Sequence, residues 1–218
     1  MTGLYRLLFR GAVLALGAAD TPRSPTNPGR PFSDAYLKFI VRELKPYVDK
    51  QFQTSPRRAD TFGAGSSMGG LISLYAALEY PNVFGGAACF STHWPLSLKE
   101  NPSDFTTAML QYTRFQLSRP YYVASPRLYF DYGSATLDAR YQPYQQRVDS
   151  LLRTLPNRSY RPYRSDSTMW ITRRFPGVAH NEAAWKKRVP LALPFLLGRW
   201  GSRWLGCKNN VMLRLRAA

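Results

Sequence analysis

The chain of 218 residues is predicted to form an α/β domain built on a mainly parallel sheet. Short apolar runs alternate with longer segments of helical periodicity between residues 33 and 198, the pattern of parallel strands joined by crossover helices. Hydrophobic residues make up 44% of the chain and aromatic residues 14%, which is typical of a folded globular protein. The glycines and prolines follow no period, so no repeat architecture is expected.

The first predicted element is a helix in SDAYLKFIVRELKPYVDKQF, with Ser33 as its N-cap and Pro46 expected to bend or end it. A short strand in RRADTFGAG is followed by a helix in MGGLISLYAALEY, which Pro81 stops. The next two strands lie in VFGGAACFS and RLYFDYG, both apolar enough to be buried on two faces. The remaining elements are a helix in YQPYQQRVDSLLRTL, a strand in TMWITRRF and a helix in NEAAWKKRVPLALPFLL. Such a sheet binds ligands at the carboxyl ends of its strands.

Composition divides the chain into an N-terminal segment and linker (1–32), the α/β domain (33–198) and a basic tail (199–218). Residues 1–20 have the outline of a signal peptide, but Arg10 interrupts their apolar part, so a cytoplasmic location is expected, with export as the alternative. No run of 18 apolar residues exists, and the sequence therefore predicts no transmembrane helix.

The net charge of +17 favours polyanions, anionic membrane surfaces or acidic substrates as partners. The basic residues are spread along the chain, and no zinc-finger, RNP or basic-zipper signature accompanies them. We therefore expect a basic solvated surface rather than specific nucleic-acid binding, with a polyanion binder as a minor alternative. Cys89 and Cys207 are too few for a disulfide framework, and Cys89 is expected to be a small buried residue.

One motif points to chemistry: TFGAGSSMGG, residues 61–70, contains G-x-S-x-G in a single register, centred on Ser67. A predicted strand precedes it and a predicted helix follows, as in a nucleophile elbow, where small neighbours let the backbone turn sharply under a reactive serine. The helix N-terminus favours a developing oxyanion, and the Met68 N–H is expected to be one donor. The alternative is a structural glycine-rich turn.

A serine nucleophile needs a base, and the chain has only two histidines. His180 follows the last predicted strand and precedes the last helix, which is where the chain order serine, acid, histidine requires the base. His93, in STHWP, precedes every candidate acid. It is expected, with Trp94, to line the substrate pocket instead.

The acid is expected after the third predicted strand, in YFDYGSATLDARY. Asp138 lies in the loop beyond that strand and is favoured over Asp131, which lies inside the strand run. The structural alternatives are a helix N-cap for Asp138 and a backbone-bonded strand end for Asp131. No H-E-x-x-H, metal-ligand cluster, G-x-G-x-x-G or Walker A sequence occurs, so neither a metal nor another cofactor is predicted.

Three stretches together resemble the serine esterases of the esterase D type, α/β-hydrolases related to siderophore esterases and some feruloyl esterases. They are GAGSSMGGLISLYAALEYPNVFGGAACFS, YFDYGSATLDARYQPYQQRVD and FPGVAHNEAAWKKR. The resemblance runs from about Ser33 to Gly198. It implies hydrolysis of a small-molecule carboxylic ester through an acyl-enzyme, with Ser67 as nucleophile, His180 as base, Asp138 as acid and no metal.

The chain departs from that family before Ser33. Members carry several strands there, and a loop after one of them supplies the second oxyanion donor. About thirty residues precede Ser33 here, so we expect an α/β-hydrolase-like sheet that lacks the usual N-terminal strands. A homodimer that completes the sheet is one expectation. The alternative function is a degenerate, non-catalytic domain with an incomplete oxyanion hole.

Overall fold

Four parallel strands form the sheet of the computed structural model, which describes residues 33–95, 103–119, 126–155 and 169–197. The strand order is β1-β2-β3-β4, and each neighbouring pair is parallel. The strands are β1 (Phe62–Ser66), β2 (Gly86–Phe90), β3 (Arg127–Tyr132) and β4 (Trp170–Arg174). Each overlaps the stretch predicted for it, and the α/β fold with a parallel sheet is confirmed.

The register aligns the carboxyl ends of all four strands. Ser66 is opposite Phe90, Phe90 is opposite Asp131, and Asp131 is opposite Arg173. The segments that follow the strands therefore meet at one edge of the sheet, where open α/β folds bind their ligands.

A helical segment precedes the sheet. It consists of α1 (Ser33–Phe39), a π-helical turn (Ile40–Leu44) and α2 (Lys45–Gln51). Pro46 does not end the helix. It lies in the first turn of α2, and the wider π-helical turn just before it accommodates the proline within the helical segment.

Helices cover both faces of the sheet. They are α3 (Met68–Glu79), α4 (Ser103–Leu117), α5 (Gln142–Thr154) and α6 (Glu182–Leu197). Successive strand residues point to opposite faces. Cys89 and Phe130 accordingly pack in the larger core with α3, α4 and α5, whereas Phe90 and Tyr129 pack against α6 in a smaller one.

The sequence did not predict α4. Threonines at 106, 107 and 113 lower its helix propensity, because β-branched side chains lose freedom in a helix. Tertiary packing stabilises it instead: Met109 and Tyr112 are buried, and the Tyr112 hydroxyl donates to Glu79 Oε2 on α3 at 2.7 Å.

The predicted N-terminal segment (1–32), the basic tail (199–218) and Cys207 lie outside the described residues. Cys89 is a buried free thiol, as expected. Within the described ranges, every helix is too short or too polar to span a bilayer.

Candidate active site

Ser67 lies on a strained turn between β1 and α3, with φ 54° and ψ −117°. A positive φ is unfavourable for any residue with a Cβ, and such strain persists only where the surrounding structure enforces it. Here the Ser67 N–H donates to the Phe90 carbonyl at 2.8 Å, and the Ser67 carbonyl accepts the His93 N–H at 3.2 Å. The strand–turn–helix context that the G-x-S-x-G motif requires is present.

The glycines around Ser67 have different roles. A Cβ on Gly65 would overlap the Gly69 carbonyl, so only glycine fits there, whereas a Cβ on Gly69 would meet nothing within 4 Å. Met68, expected as an oxyanion donor, begins α3, and its N–H has no acceptor among the described residues. That N–H is therefore available to a ligand.

Asp138 and His180 form a carboxylate–imidazole pair. Asp138 lies in a short 3-10 turn after β3, His180 lies in the loop after β4, and Asp138 Oδ1 is 2.5 Å from His180 Nδ1. The two loops are bonded to each other, since the His180 N–H donates to Thr136 Oγ1 at 2.8 Å and Val178 O accepts two N–H groups of the acid loop. Of the two candidate acids, the structure brings Asp138 to His180.

The second oxygen of Asp138 is also held. Oδ2 accepts the Ser91 hydroxyl at 2.6 Å and the Gly133 N–H at 2.5 Å. Burial on its own would raise the pKa of Asp138, but the hydrogen bonds from His180, Ser91 and Gly133 outweigh it and leave the pKa below its usual value. Asp138 is therefore a carboxylate over the whole physiological range of pH.

Asp131, the alternative acid, has a different partner. It is buried at the end of β3, and its Oδ1 lies 2.9 Å from Arg188 Nη1 of α6. Burial raises the pKa of Asp131 to about 6, while the Arg188 charge and hydrogen bonds from Tyr129 and Ser91 oppose that rise.

Tyr141 is a site residue that the sequence did not single out. Its buried hydroxyl lies 2.7 Å from His93 Nδ1 and also interacts with the Ser67 side chain. Its ring packs edge-on against the His180 ring at 5.6 Å. Burial raises the pKa of Tyr141, so its hydroxyl stays protonated. In the sequence, only its position three residues after Asp138 could have indicated that Tyr141 belongs to the site.

His93 and Trp94, expected to line the substrate pocket, both have partners inside the protein. His93 is buried with its ring bonded to Tyr141. The Trp94 indole packs on Phe130 in the core, and its N–H donates to Gln145 Oε1 at 2.9 Å. These hydrogen bonds satisfy polar atoms of both rings and make their burial favourable.

Ser67 and His180 are not directly hydrogen-bonded in the described part of the chain, and both contact Tyr141 instead. Nucleophile–base hydrogen bonds are often long before a substrate binds. No group of three or more His, Cys, Asp or Glu side chains within the described ranges could hold a metal ion.

Comparison with known proteins links these features to esterases. A family model described as "Putative esterase" matches residues 16–198. The uncharacterised protein YjcH of Bacillus subtilis is 42% identical over 57 residues, which are 26% of this chain and 23% of that protein. A "Probable carboxylesterase SOBER1-like" of Arabidopsis thaliana is 30% identical over 78 residues, 36% of this chain and 30% of that protein.

Solved structures of esterases share the fold. The enterobactin esterase FES of Shigella flexneri superposes with a TM-score of 0.56 at 19% identity, over 78% of this chain and 39% of that one. A ferulic acid esterase of Anaeromyces mucronatus gives a TM-score of 0.55 at 17% identity, over 86% and 61% of the two chains. This chain thus spans less than a third of the curated relatives and about two-fifths of the enterobactin esterase.

Proposed function

The chain belongs to the esterase family whose model matches residues 16–198, and from that membership we propose that it is a serine esterase. The substrate class is a small carboxylic ester, and the reaction passes through an acyl-enzyme on Ser67. The observation that carries the proposal is the 2.5 Å contact between Asp138 Oδ1 and His180 Nδ1, beside a serine on a strained turn.

Each residue of the proposed triad has a defined role. Ser67 Oγ attacks the ester carbonyl carbon while His180 Nε2 takes its proton, and Asp138 holds the opposite ring nitrogen as N–H. The Met68 N–H stabilises the oxyanion of the tetrahedral intermediate. His180 then gives the proton to the departing alkoxide. A water molecule, deprotonated by the same base, releases the acid from Ser67.

The Ser67 side chain interacts with the Tyr141 hydroxyl, and no hydrogen bond joins it to His180 within the described residues. In the proposed reaction it turns toward His180. Rotation about one side-chain bond is fast compared with turnover. The proposed reaction therefore needs a side-chain change at Ser67 while the acid–base pair is already formed.

The missing contact between Ser67 and His180 also favours a second candidate, a non-catalytic member that keeps the fold. The two candidates differ in whether Ser67 is activated. A fluorophosphonate probe labels only an activated serine, so labelling of Ser67 supports the esterase and excludes the non-catalytic domain.

Hydrolysis of short-chain p-nitrophenyl esters tests the proposal directly. Wild type is expected to hydrolyse them, and Ser67→Ala is expected to lose at least a thousandfold in kcat, as removal of a triad nucleophile does. Ser66→Ala is the matched control, because Ser66 is the neighbouring serine of the same motif and ends β1. Equal rates for wild type and Ser67→Ala would reject the proposal.

A further inference from the structure

A buried ion pair lies behind the acid of the proposed triad. Arg188 on α6 is 3% exposed and Asp131 at the end of β3 is 1% exposed. Arg188 Nη1 is 2.9 Å from Asp131 Oδ1, and the guanidinium carbon lies 5.4 Å from the centre of the Phe175 ring. Replacing such a pair with apolar residues is often neutral or stabilising, so its contribution to stability alone explains its presence poorly.

Ser91 connects this ion pair to the triad. Its hydroxyl oxygen accepts Arg188 Nη2 at 2.7 Å and Trp185 Nε1 at 3.0 Å, and lies 2.6 Å from Asp138 Oδ2. A serine hydroxyl has two lone pairs and one proton. Because the two N–H donors occupy both lone pairs, the proton must point to Asp138.

The backbone of Ser91 is held in the same place at a conformational cost. Its φ is 44°, although it is not a glycine, and its N–H donates to the Asp131 carbonyl at 2.8 Å. Strain of this kind is concentrated at functional sites. A serine that only filled space at the end of β2 would not require this strained backbone conformation.

We propose that Asp131 and Arg188 are positioning residues that orient the triad acid through Ser91, a role that rests on the proposed function. The Asp131 charge attracts the Arg188 guanidinium, although Nη1 makes no hydrogen bond; Nη2 donates to the Ser91 hydroxyl, and that hydroxyl donates to Asp138 Oδ2. Asp138 Oδ1 is then directed at His180 before any substrate arrives.

Arg188 also lies near the acid of the proposed triad, with Nη2 3.9 Å from Asp138 Oδ2. On the other side of the ion pair, the Tyr129 hydroxyl donates to Asp131 Oδ2 at 3.2 Å.

The experiment compares Arg188→Met, Asp131→Asn and the double variant that carries both changes. All three variants are expected to move the NMR resonance of the proton on His180 Nδ1, because that proton reports the hydrogen bond to Asp138, while Lys187→Met leaves it in place. The double variant leaves no unpaired buried charge, so a change there reflects lost positioning of Asp138. The resonance is read without activity, and His180→Asn distinguishes it from the His93 signal.

Ser91→Ala tests the hydrogen-bonded link separately. It is expected to lower kcat about tenfold or more with little change in KM, because it removes a hydrogen bond to a charged group away from the substrate. Lys187→Met, at the exposed neighbouring position of α6, is the matched control and should behave as wild type. The double variant also covers the case in which a single charge change prevents folding, since it leaves no unpaired buried charge.

A moved His180 resonance in the three variants, an unmoved one in Lys187→Met and a kcat loss in Ser91→Ala support the positioning role. An unmoved resonance in all three variants, or an unchanged kcat in Ser91→Ala, overturns it. The outcome is separable from that of the proposed function. If wild type shows no Ser67-dependent hydrolysis, the esterase proposal fails, while the His180 resonance still decides whether the ion pair acts on the Asp138–His180 pair.

Discussion

Because the backbone at Ser67 is strained, glycine should be a more stabilising replacement there than alanine, the reverse of the usual order. Ser67→Ala keeps a Cβ at φ 54°, whereas Ser67→Gly removes it, and both variants lack the hydroxyl. Backbone strain of this type costs about 1–3 kcal/mol, and glycine costs about 0.5–1 kcal/mol through the greater entropy of its unfolded chain. The unfolding free energy of Ser67→Gly should therefore exceed that of Ser67→Ala by about 1 kcal/mol.

Thermal and urea unfolding measure that difference. A change of about 1 kcal/mol in a domain of this size moves Tm by about 2–4 °C, so Ser67→Gly should melt at the higher temperature. The control is the same pair of substitutions at Ser66, which ends β1 and has no positive φ. There Ser66→Gly should be less stable than Ser66→Ala. The reasoning is refuted if glycine is the less stable substitution at both positions.

Three further predictions concern the same site. Gly65→Ala should destabilise the fold by about 1–3 kcal/mol, because its Cβ overlaps the Gly69 carbonyl, while Gly69→Ala should be tolerated; equal urea midpoints would contradict this. Tyr141→Phe should speed fluorophosphonate labelling of Ser67 by roughly 2- to 12-fold, because the phenol competes with the base for that serine, and slower labelling would count against this competition. The third prediction concerns pH. Burial raises the pKa of Asp131 to about 6, so ionising this group destabilises the native state as pH rises from about 4 to 6. The unfolding free energy of wild type relative to Asp131→Asn should therefore fall by roughly 2–3 kcal/mol between pH 4 and pH 7, and a flat difference would show that Asp131 does not titrate in this range.

The strands and most helices could be predicted because their signals are local. β2 and β3 are apolar on both faces and are bounded by turn residues, and the ends of α3 follow from the motif before it and Pro81 after it. The helix α4 lacked such a signal, since its threonines disfavour a helix and its stability comes from contacts with α3. The passage of a helix through Pro46 likewise depends on a π-helical turn that periodicity does not reveal.

The chain order of Ser67, Asp138 and His180 could be read from the sequence because strand ends converge in a parallel sheet. The residues that support this triad could not be identified from the sequence. Arg188 follows two exposed lysines in WKKRV and looks like another surface charge until α6 is placed across the end of β3. Tyr141 is one of 14 tyrosines, and Trp94 differs from a pocket tryptophan only through the partner of its indole N–H.

The two halves of the proposed site are organised differently. The acid–base half is rigidly built: the Gly177 N–H donates to Ser134 Oγ at 2.7 Å, the His180 N–H donates to Thr136, and Asp138 accepts three hydrogen bonds. The nucleophile half has a fixed backbone but a side chain that interacts with Tyr141. Loosening the acid–base half should therefore lower kcat, since no substrate contact can restore a displaced carboxylate. Changes near Tyr141 should instead alter how often Ser67 is poised to react. A kcat loss in Ser91→Ala combined with faster probe labelling in Tyr141→Phe would establish that these two halves act separately.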